Sequence, residues 1–181
     1  METFLNKNFK YCPKCKAELD LKSNFAACSE CDFLYYQNPA PCTVLLFHKD
    51  NQVLLAKRAI EPRKGYWDVP GGFIEVGETA ETSALREAKE ETNLDVSPVM
   101  PIKIEEFTRE DRPGKKALNI IYFCTVESEK GLQLSEEHDM YKWVNEKELD
   151  EIKPITELAK GSFTEIFRIY GLLLQNNSPK S

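Results

Sequence analysis

The feature that most restricts the fold is a cysteine arrangement near the N-terminus: Cys12-x2-Cys15, twelve residues, then Cys28-x2-Cys31. Residues 1–37 carry few large aliphatic side chains and could not bury a core unaided. In a reducing compartment, paired C-x2-C knuckles point to a bound metal in place of disulfides. Four thiolates favour tetrahedral zinc, and a site filled entirely by protein ligands is closed to substrate, hence structural. Such a ribbon folds on the free energy of metal binding. The expected organisation is a zinc ribbon over 1–37 and a second domain over 38–181. The joint lies at Gln37-Asn38-Pro39-Ala40-Pro41, where two prolines in three residues favour extended chain.

Charge narrows the function. The formal net charge is −6, and in the ribbon Lys7, Lys10, Lys14, Lys16 and Lys22 are offset by Glu2, Glu18, Asp20, Glu30 and Asp32. This argues against a protein that grips nucleic acid through bulk positive potential. Anionic small molecules stay open, because a bound divalent cation inverts the local field. No apolar run approaches the roughly 20 residues that span a bilayer. The start, METFLNKNFKYCPKC, lacks the apolar stretch of a signal peptide. The expectation is a cytoplasmic protein with no membrane partner.

Past the joint, TVLLFH (43–48) and QVLLAKR (52–58) flank Lys49-Asp50-Asn51 and predict a hairpin in a sheet covered on both faces. Trp67-Asp68-Val69 leads into a tight turn at Pro70-Gly71-Gly72. A helix is predicted over 79–92, with Thr79 as N-cap and Asn93 as a left-handed end. Further strands are expected at 102–108, 118–126 and 140–144, with a polar loop, REDRPGKK, at 109–116. Ser162 and Glu165 read as a capping box opening a C-terminal helix whose apolar residues Phe163, Ile166, Phe167 and Tyr170 face a core. Cys42 and Cys124 fall in predicted strands and read as small buried hydrophobes. His48 and His138 form no ligand cluster.

The helix over 79–92 carries the chemistry. At about 100° per residue, Glu87, Glu90 and Glu91 fall within an arc of about 100°. Like charges one turn apart repel, so either the face is merely solvated or it holds a hard cation such as magnesium or manganese, which prefers oxygen ligands. Arg86 is placed to orient one carboxylate through a bidentate pair. Gly71 and Gly72 let backbone groups approach an ion or phosphate closely. The glutamates are expected on an exposed face, so that Glu91→Gln would leave folding almost untouched.

Gly72, five residues, Glu78, seven residues, then Arg86-Glu87-Ala88-Lys89-Glu90-Glu91-Thr92-Asn93-Leu94 resembles the Nudix box, G-x5-E-x7-R-E-U-x-E-E-x-G-U with U aliphatic. Asn93 in place of the last glycine is the one departure, and Asn is the next-best left-handed residue. LLAKR and GYWDVPGG before the box, and YKWVNEKEL after it, extend the resemblance over roughly residues 40–150. It implies the family's α/β/α sandwich with a mixed sheet, here preceded by the small zinc ribbon.

It also implies magnesium (or manganese) held by Glu87, Glu90, Glu91 and the Gly71 carbonyl. Arg86 would hold Glu90, and Glu78 would support the loop or an outer metal shell. The implied reaction is hydrolysis of the pyrophosphate in a nucleoside diphosphate linked to another group. For the general base, Glu91 competes with the loop Glu136-Glu137-His138-Asp139, where Glu137 is the candidate. Arg58, Trp67 and Glu75 are candidate substrate contacts, with Arg63, Lys64, Arg112, Lys115 and Lys116 as further phosphate partners and Tyr66 or Phe107 as further stacking rings.

Ribbon plus box is similar to NADH pyrophosphatases and to FAD or ADP-ribose pyrophosphatases. The NADH enzymes carry an SQPW-type array after the box, where this chain has DVSPVMPIKIEEF. The expected substrate is therefore ADP-ribose or a dinucleotide such as FAD. An NADH or NAD-cap pyrophosphatase is the alternative, and a non-catalytic nucleotide sensor or a nucleic-acid-binding ribbon protein is the alternative of another class. The intact glutamates argue against the sensor. Family relatives are often dimers, so a homodimer is expected.

Overall fold

A computed structural model describes residues 9–96, 98–108 and 115–176. The loop residues 109–114, Arg112 among them, and the tail from 177 lie outside the described residues. The chain divides into two compact units, Met1–Ala40 with Glu106–Leu118, and Pro41–Glu105 with Asn119–Ser181.

In the first unit, β1 (Leu19–Leu21), β2 (Phe25–Cys28) and β3 (Leu34–Tyr36) form an antiparallel meander. Its apolar interior is small: Cys12, Leu19 and Ala26 are buried, with Phe9, Leu21 and Phe33 packed around them. Phe9 stacks on Tyr35 at 4.9 Å between ring centroids. This interior is small for a unit that folds on buried apolar surface alone.

The six-stranded sheet is built from β4 (Ala40–Lys49), β5 (Gln52–Arg58), β6 (Trp67–Asp68), β7 (Pro98–Thr108), β8 (Lys116–Thr125) and β9 (His138–Val144). The β4–β5 turn uses Asp50 and Asn51 at positive φ, 48° and 62°, a conformation that short polar side chains tolerate. β9 pairs with β5 from Val53 to Arg58, while β4 and β6 share its other edge. Val126 donates its N–H to the His48 carbonyl at 2.8 Å, so β8 ends beside the end of β4 and the two run in the same direction. The sheet is thus mixed.

Strand alternation sorts the core into two layers. Val44, Leu46, Val53, Leu55 and Ile121 pack against Ala159, Phe163 and Ile166 of α3 (Glu157–Asn176). Leu45, Phe47, Leu54 and Tyr122 pack against Ala84 and Ala88 of α1 (Ala80–Thr92). A short α2 (Glu146–Leu149) follows β9. The result is the expected α/β/α sandwich. Among the described residues no helix is long and apolar enough to cross a membrane.

The C-terminal helix begins earlier than the sequence suggests. The Thr156 hydroxyl accepts from the Ala159 N–H at 3.1 Å and caps the helix, whereas Ser162 lies inside it, fully buried. Leu158, Ala159 and Phe163 share one core, so packing carries the helix through Gly161 despite that residue's poor propensity.

Candidate active site

Both ends of α1 are fixed locally. Thr79 Oγ1 accepts from the Thr82 N–H at 3.1 Å while Thr82 Oγ1 accepts from the Thr79 N–H at 2.9 Å. Asn93 ends the helix in the left-handed region at φ 57°, and its side-chain amide donates to the Gly131 carbonyl at 2.9 Å. The carbonyls of Glu91 and Thr92 accept from the N–H groups of Ser135 and Gln133. These bonds pin the segment leading to Glu137 against the end of the helix that carries Glu87, Glu90 and Glu91.

The Pro70–Gly72 turn lies along β4: Leu45 N–H donates to Pro70 O and Thr43 N–H to Gly72 O, both at 2.8 Å. Gly71 has φ +146°, and a Cβ there would sit 2.2 Å from the Thr43 carbonyl oxygen. A Cβ at Gly72 would sit 2.1 Å from Glu87 Oε1. Only glycines let the turn come this close to strand and helix together. The Gly71 N–H then reaches Glu91 Oε2 at 2.9 Å.

Arg86 organises the acids. Its Nε and Nη2 hold Glu78 bidentately at 2.7 and 3.0 Å, and Nη1 bonds Glu87 Oε1 at 2.8 Å and Glu90 Oε2 at 3.0 Å. Nη2 also donates to the Phe73 carbonyl at 3.0 Å. The fork thus grips Glu78, and Glu90 receives a single bond. Hydrogen bonding to Arg86 holds Glu78 down at about 2. Glu75 is exposed, and its backbone N–H donates to Glu78 Oε2.

The glutamates are not uniformly exposed. Glu87 and Glu91 are buried and Glu90 is exposed, because the glycine turn lies across the first two. Burial pushes Glu91 up to about 8 against the pull of the Gly71 N–H, and the charges of Glu87, Glu137 and Asp68 add to the rise. Burial likewise raises Glu87, with Glu90 and Glu137 contributing against the pull of Arg86. Glu137 is therefore electrostatically coupled to both buried acids. The expected exposed face is corrected accordingly, and with it the expectation that replacing Glu91 leaves folding untouched.

Arg58 is half-buried; its Nε donates to the Pro62 carbonyl at 2.8 Å and Nη1 lies 4.0 Å from Asp68 Oδ2. The Ala59 N–H donates to the Glu137 carbonyl at 2.7 Å, so the end of β5 adjoins the acidic loop. Trp67 packs against the core beside Ile155, while its neighbour Tyr66 is exposed. Lys116 is exposed and paired with Glu106. His138 and Cys124 are buried. Burial holds the His138 imidazole down at about 4 and pushes the Cys124 thiol up to about 12. Sequence reading passed over Asp68, a buried carboxylate; a lone acid between Trp and Val in a β-rich run was the available signal.

In the ribbon, Cys12, Cys15, Cys28 and Cys31 place their Sγ atoms all within 4.8 Å of one another, with Cys12–Cys31 at 3.6 Å and Cys15–Cys28 at 3.4 Å. Zinc–sulfur bonds of about 2.3 Å in a regular tetrahedron put the sulfurs about 3.8 Å apart, so the quartet fits a four-thiolate metal site. The knuckle turn is set by the Lys16 N–H to Cys12 carbonyl bond at 2.9 Å, with Lys16 at φ 70°.

The structure is a mixed-sheet α/β/α sandwich in which a glycine turn meets an arginine-clamped acidic helix. The chain belongs to the Nudix family, whose domain model matches residues 37–165. Members of this family generally use a divalent metal ion.

The chain is similar to the NAD-capped RNA hydrolase NudC of Vibrio atlanticus, 37% identical over 97 residues, which covers 52% of this chain and 36% of that protein. It is similar to the ADP-ribose pyrophosphatase of Methanocaldococcus jannaschii, 38% identical over 92 residues, 50% of this chain and 53% of that protein. The matches therefore span between about a third and about half of these relatives' lengths. Among solved structures, a MutT Nudix hydrolase from Burkholderia pseudomallei superposes with a TM-score of 0.62 at 20% identity, covering 71% of this chain and 98% of that one. That likeness shows the fold.

Proposed function

We propose that the chain is a magnesium-dependent hydrolase of the pyrophosphate bond in a nucleoside diphosphate linked to another group, with ADP-ribose or a dinucleotide such as FAD as substrate. Residues 1–37 act as a structural zinc ribbon ahead of a hydrolase domain over 38–181. The observation that carries the reading is the joint burial of Glu87 and Glu91 within electrostatic reach of Glu137. Protein of this kind is disfavoured by its own charge until a cation arrives. The all-oxygen donor set suits magnesium or manganese.

Glu87, Glu90, Glu91 and the Gly71 carbonyl would hold the ion. When bound, it supplies charge neutralisation on the pyrophosphate oxygens and acidifies the attacking water. Arg86 keeps Glu87 and Glu90 from splaying apart while Glu78 anchors the guanidinium to the turn before the helix. Glu137 takes the proton of the attacking water. One phosphorus gains that oxygen, its bond to the bridging oxygen breaks, and two phosphate monoesters leave. Arg58 meets the diphosphate, and exposed Tyr66 is better placed than core-packed Trp67 to stack on a base.

A second reading, an NADH or NAD-cap pyrophosphatase, is supported by the identity to NAD-capped RNA hydrolases. The sequence DVSPVMPIKIEEF after the box weighs against it. A cytoplasmic homodimer belongs to either reading, and size-exclusion chromatography with light scattering tests the dimer.

Turnover of ADP-ribose, NADH, FAD and a sugar nucleotide, compared with magnesium and after dialysis against magnesium-free buffer, decides between them. Magnesium-dependent cleavage of ADP-ribose or FAD is expected. Preference for NADH selects the second reading, and no turnover of any by folded, zinc-loaded protein removes both.

A further inference from the structure

Asp68 lies outside the acidic helix, in β6. It is buried, and its Oδ1 accepts two bonds, from the Val69 N–H at 3.0 Å and from the Thr156 hydroxyl at 2.7 Å. Burial pushes the Asp68 carboxyl up, while the bonds from Thr156 and Val69 and the charges of Arg58 and Arg63 pull the other way. Its Oδ2 faces Arg58 Nη1 at 4.0 Å. The Thr156 hydroxyl in turn caps α3, and the backbone completes the seam: Trp67 N–H donates to the Pro154 carbonyl at 2.9 Å and Thr156 N–H to the Trp67 carbonyl at 3.0 Å. One buried side chain therefore bonds the cap of α3 and the residue that follows it into the glycine turn, and faces the cation at the end of β5 across 4.0 Å.

We propose that Asp68 is a positioning residue, which holds Arg58 in the pose that receives a diphosphate and ties that pose to the Pro70–Gly72 turn. The inference rests on the reading of Arg58 as a phosphate contact. The register supports it. Ala56 pairs with Asp68, so Arg58, two residues on, emerges on the same face of the sheet as the carboxylate. The Nε–Pro62 bond fixes the stem of the guanidinium on one side, and Asp68 attracts it from the other. Both anchors are held by backbone, so the cation is presented without paying to order a long side chain at binding. Asp68 also lies close enough to Glu91 for its charge to be felt there, which puts Arg58 and the acids in one neighbourhood.

The test uses the full chain with zinc bound, with Asp68→Asn, Arg58→Gln and the double variant. Asn at 68 keeps an oxygen for Val69 and Thr156 but turns an amide N–H toward the guanidinium. Three quantities are read: KM and kcat for ADP-ribose with magnesium, and the affinity for ADP by calorimetry without divalent cation. Asp68→Asn is expected to raise KM and weaken ADP binding about fivefold, the scale of losing an ion-pair partner at 4.0 Å, while kcat falls less than about twofold. It should add nothing to Arg58→Gln.

Thr156→Val should reproduce the direction of the effect and Thr156→Ser should restore it, which keeps the test open if Asp68→Asn does not fold. Additive losses, unchanged ADP binding in Asp68→Asn, or no ADP binding by the unmodified chain overturn the proposal. A failure of the hydrolase reading shows separately, as intact and Asp68-dependent ADP binding without turnover.

Discussion

Glu91→Gln separates the stability of this protein from its activity, and the direction follows from burial. In the unfolded chain the carboxyl titrates at its ordinary value of 4.5, and in the folded chain at about 8. Below 4.5 both states hold the proton and Glu91 costs nothing. Between the two values the unfolded state ionises first, so stability falls as pH rises, and above about 8 the penalty is complete. At about 1.4 kcal/mol per pH unit, the full displacement corresponds to about 5 kcal/mol. Relaxation of the neighbouring acids reduces this, and half of it would still move Tm by about 5–10 °C in a chain of this size.

Gln at 91 keeps an oxygen for the Gly71 N–H and carries no charge. The variant, zinc-loaded and free of magnesium, should therefore melt at least about 5 °C above the unmodified protein at pH 8.5 and no more than about 1 °C above it near pH 4. Added magnesium should raise the Tm of the unmodified protein at pH 8.5, by about 2.7 kcal/mol of linkage at a hundredfold excess over Kd, and leave the variant unmoved. Turnover should fall by orders of magnitude. Differential scanning fluorimetry at the two pH values is sufficient. A variant less stable than its parent at pH 8.5, or a difference independent of pH, would refute the assignment of Glu91 as a buried acid held for a cation.

Three other outcomes are expected. Cys12→Ser should release zinc, read by native mass spectrometry, and loosen residues 1–37 before it affects the unit built around α1 and α3; retention of one zinc per chain would contradict the four-thiolate site. Gly71→Ala forces a Cβ to 2.2 Å from a backbone carbonyl at a φ of +146°, and should cost more than about 2 kcal/mol in urea unfolding together with most of the activity. Asn93→Ala strains the left-handed helix end and removes the bond to Gly131, for a loss of about 2 kcal/mol, whereas Asn93→Gly should lose less than half of that; equal losses in the two variants would place the whole effect in the side-chain bond.

What the sequence made legible is what local chemistry decides. Thr79 and Asn93 bracket α1 because capping depends on the residues at the ends themselves, and the β4–β5 hairpin follows from Asp50 and Asn51. The start of α3 was misread because Ser162 and Glu165 imitate a capping box. Its true boundary at Thr156 is selected by a core that Leu158, Ala159 and Phe163 enter together. In the same way, helical spacing groups Glu87, Glu90 and Glu91 but cannot tell which of them the turn at 70–72 covers. Spacing also cannot show that the fork of Arg86 closes on Glu78, a residue from outside the helix, or that Asp68 reaches an α3 cap 88 residues away in sequence.

The end of α1 and the segment that carries Glu137 are tied to each other. Asn93 bonds Gly131 through its side chain, and the last carbonyls of the helix accept from Gln133 and Ser135. Fraying of the final helical turn therefore cannot occur without releasing the segment that carries Glu137, and that segment cannot swing out without exposing the carbonyl of Glu91. In amide exchange the two should behave as one cooperative unit, with Gln133 and Ser135 protected to the same level as the last turn of the helix. An insertion between 129 and 137 would thus be felt as a change in helix end stability before it altered any reacting group.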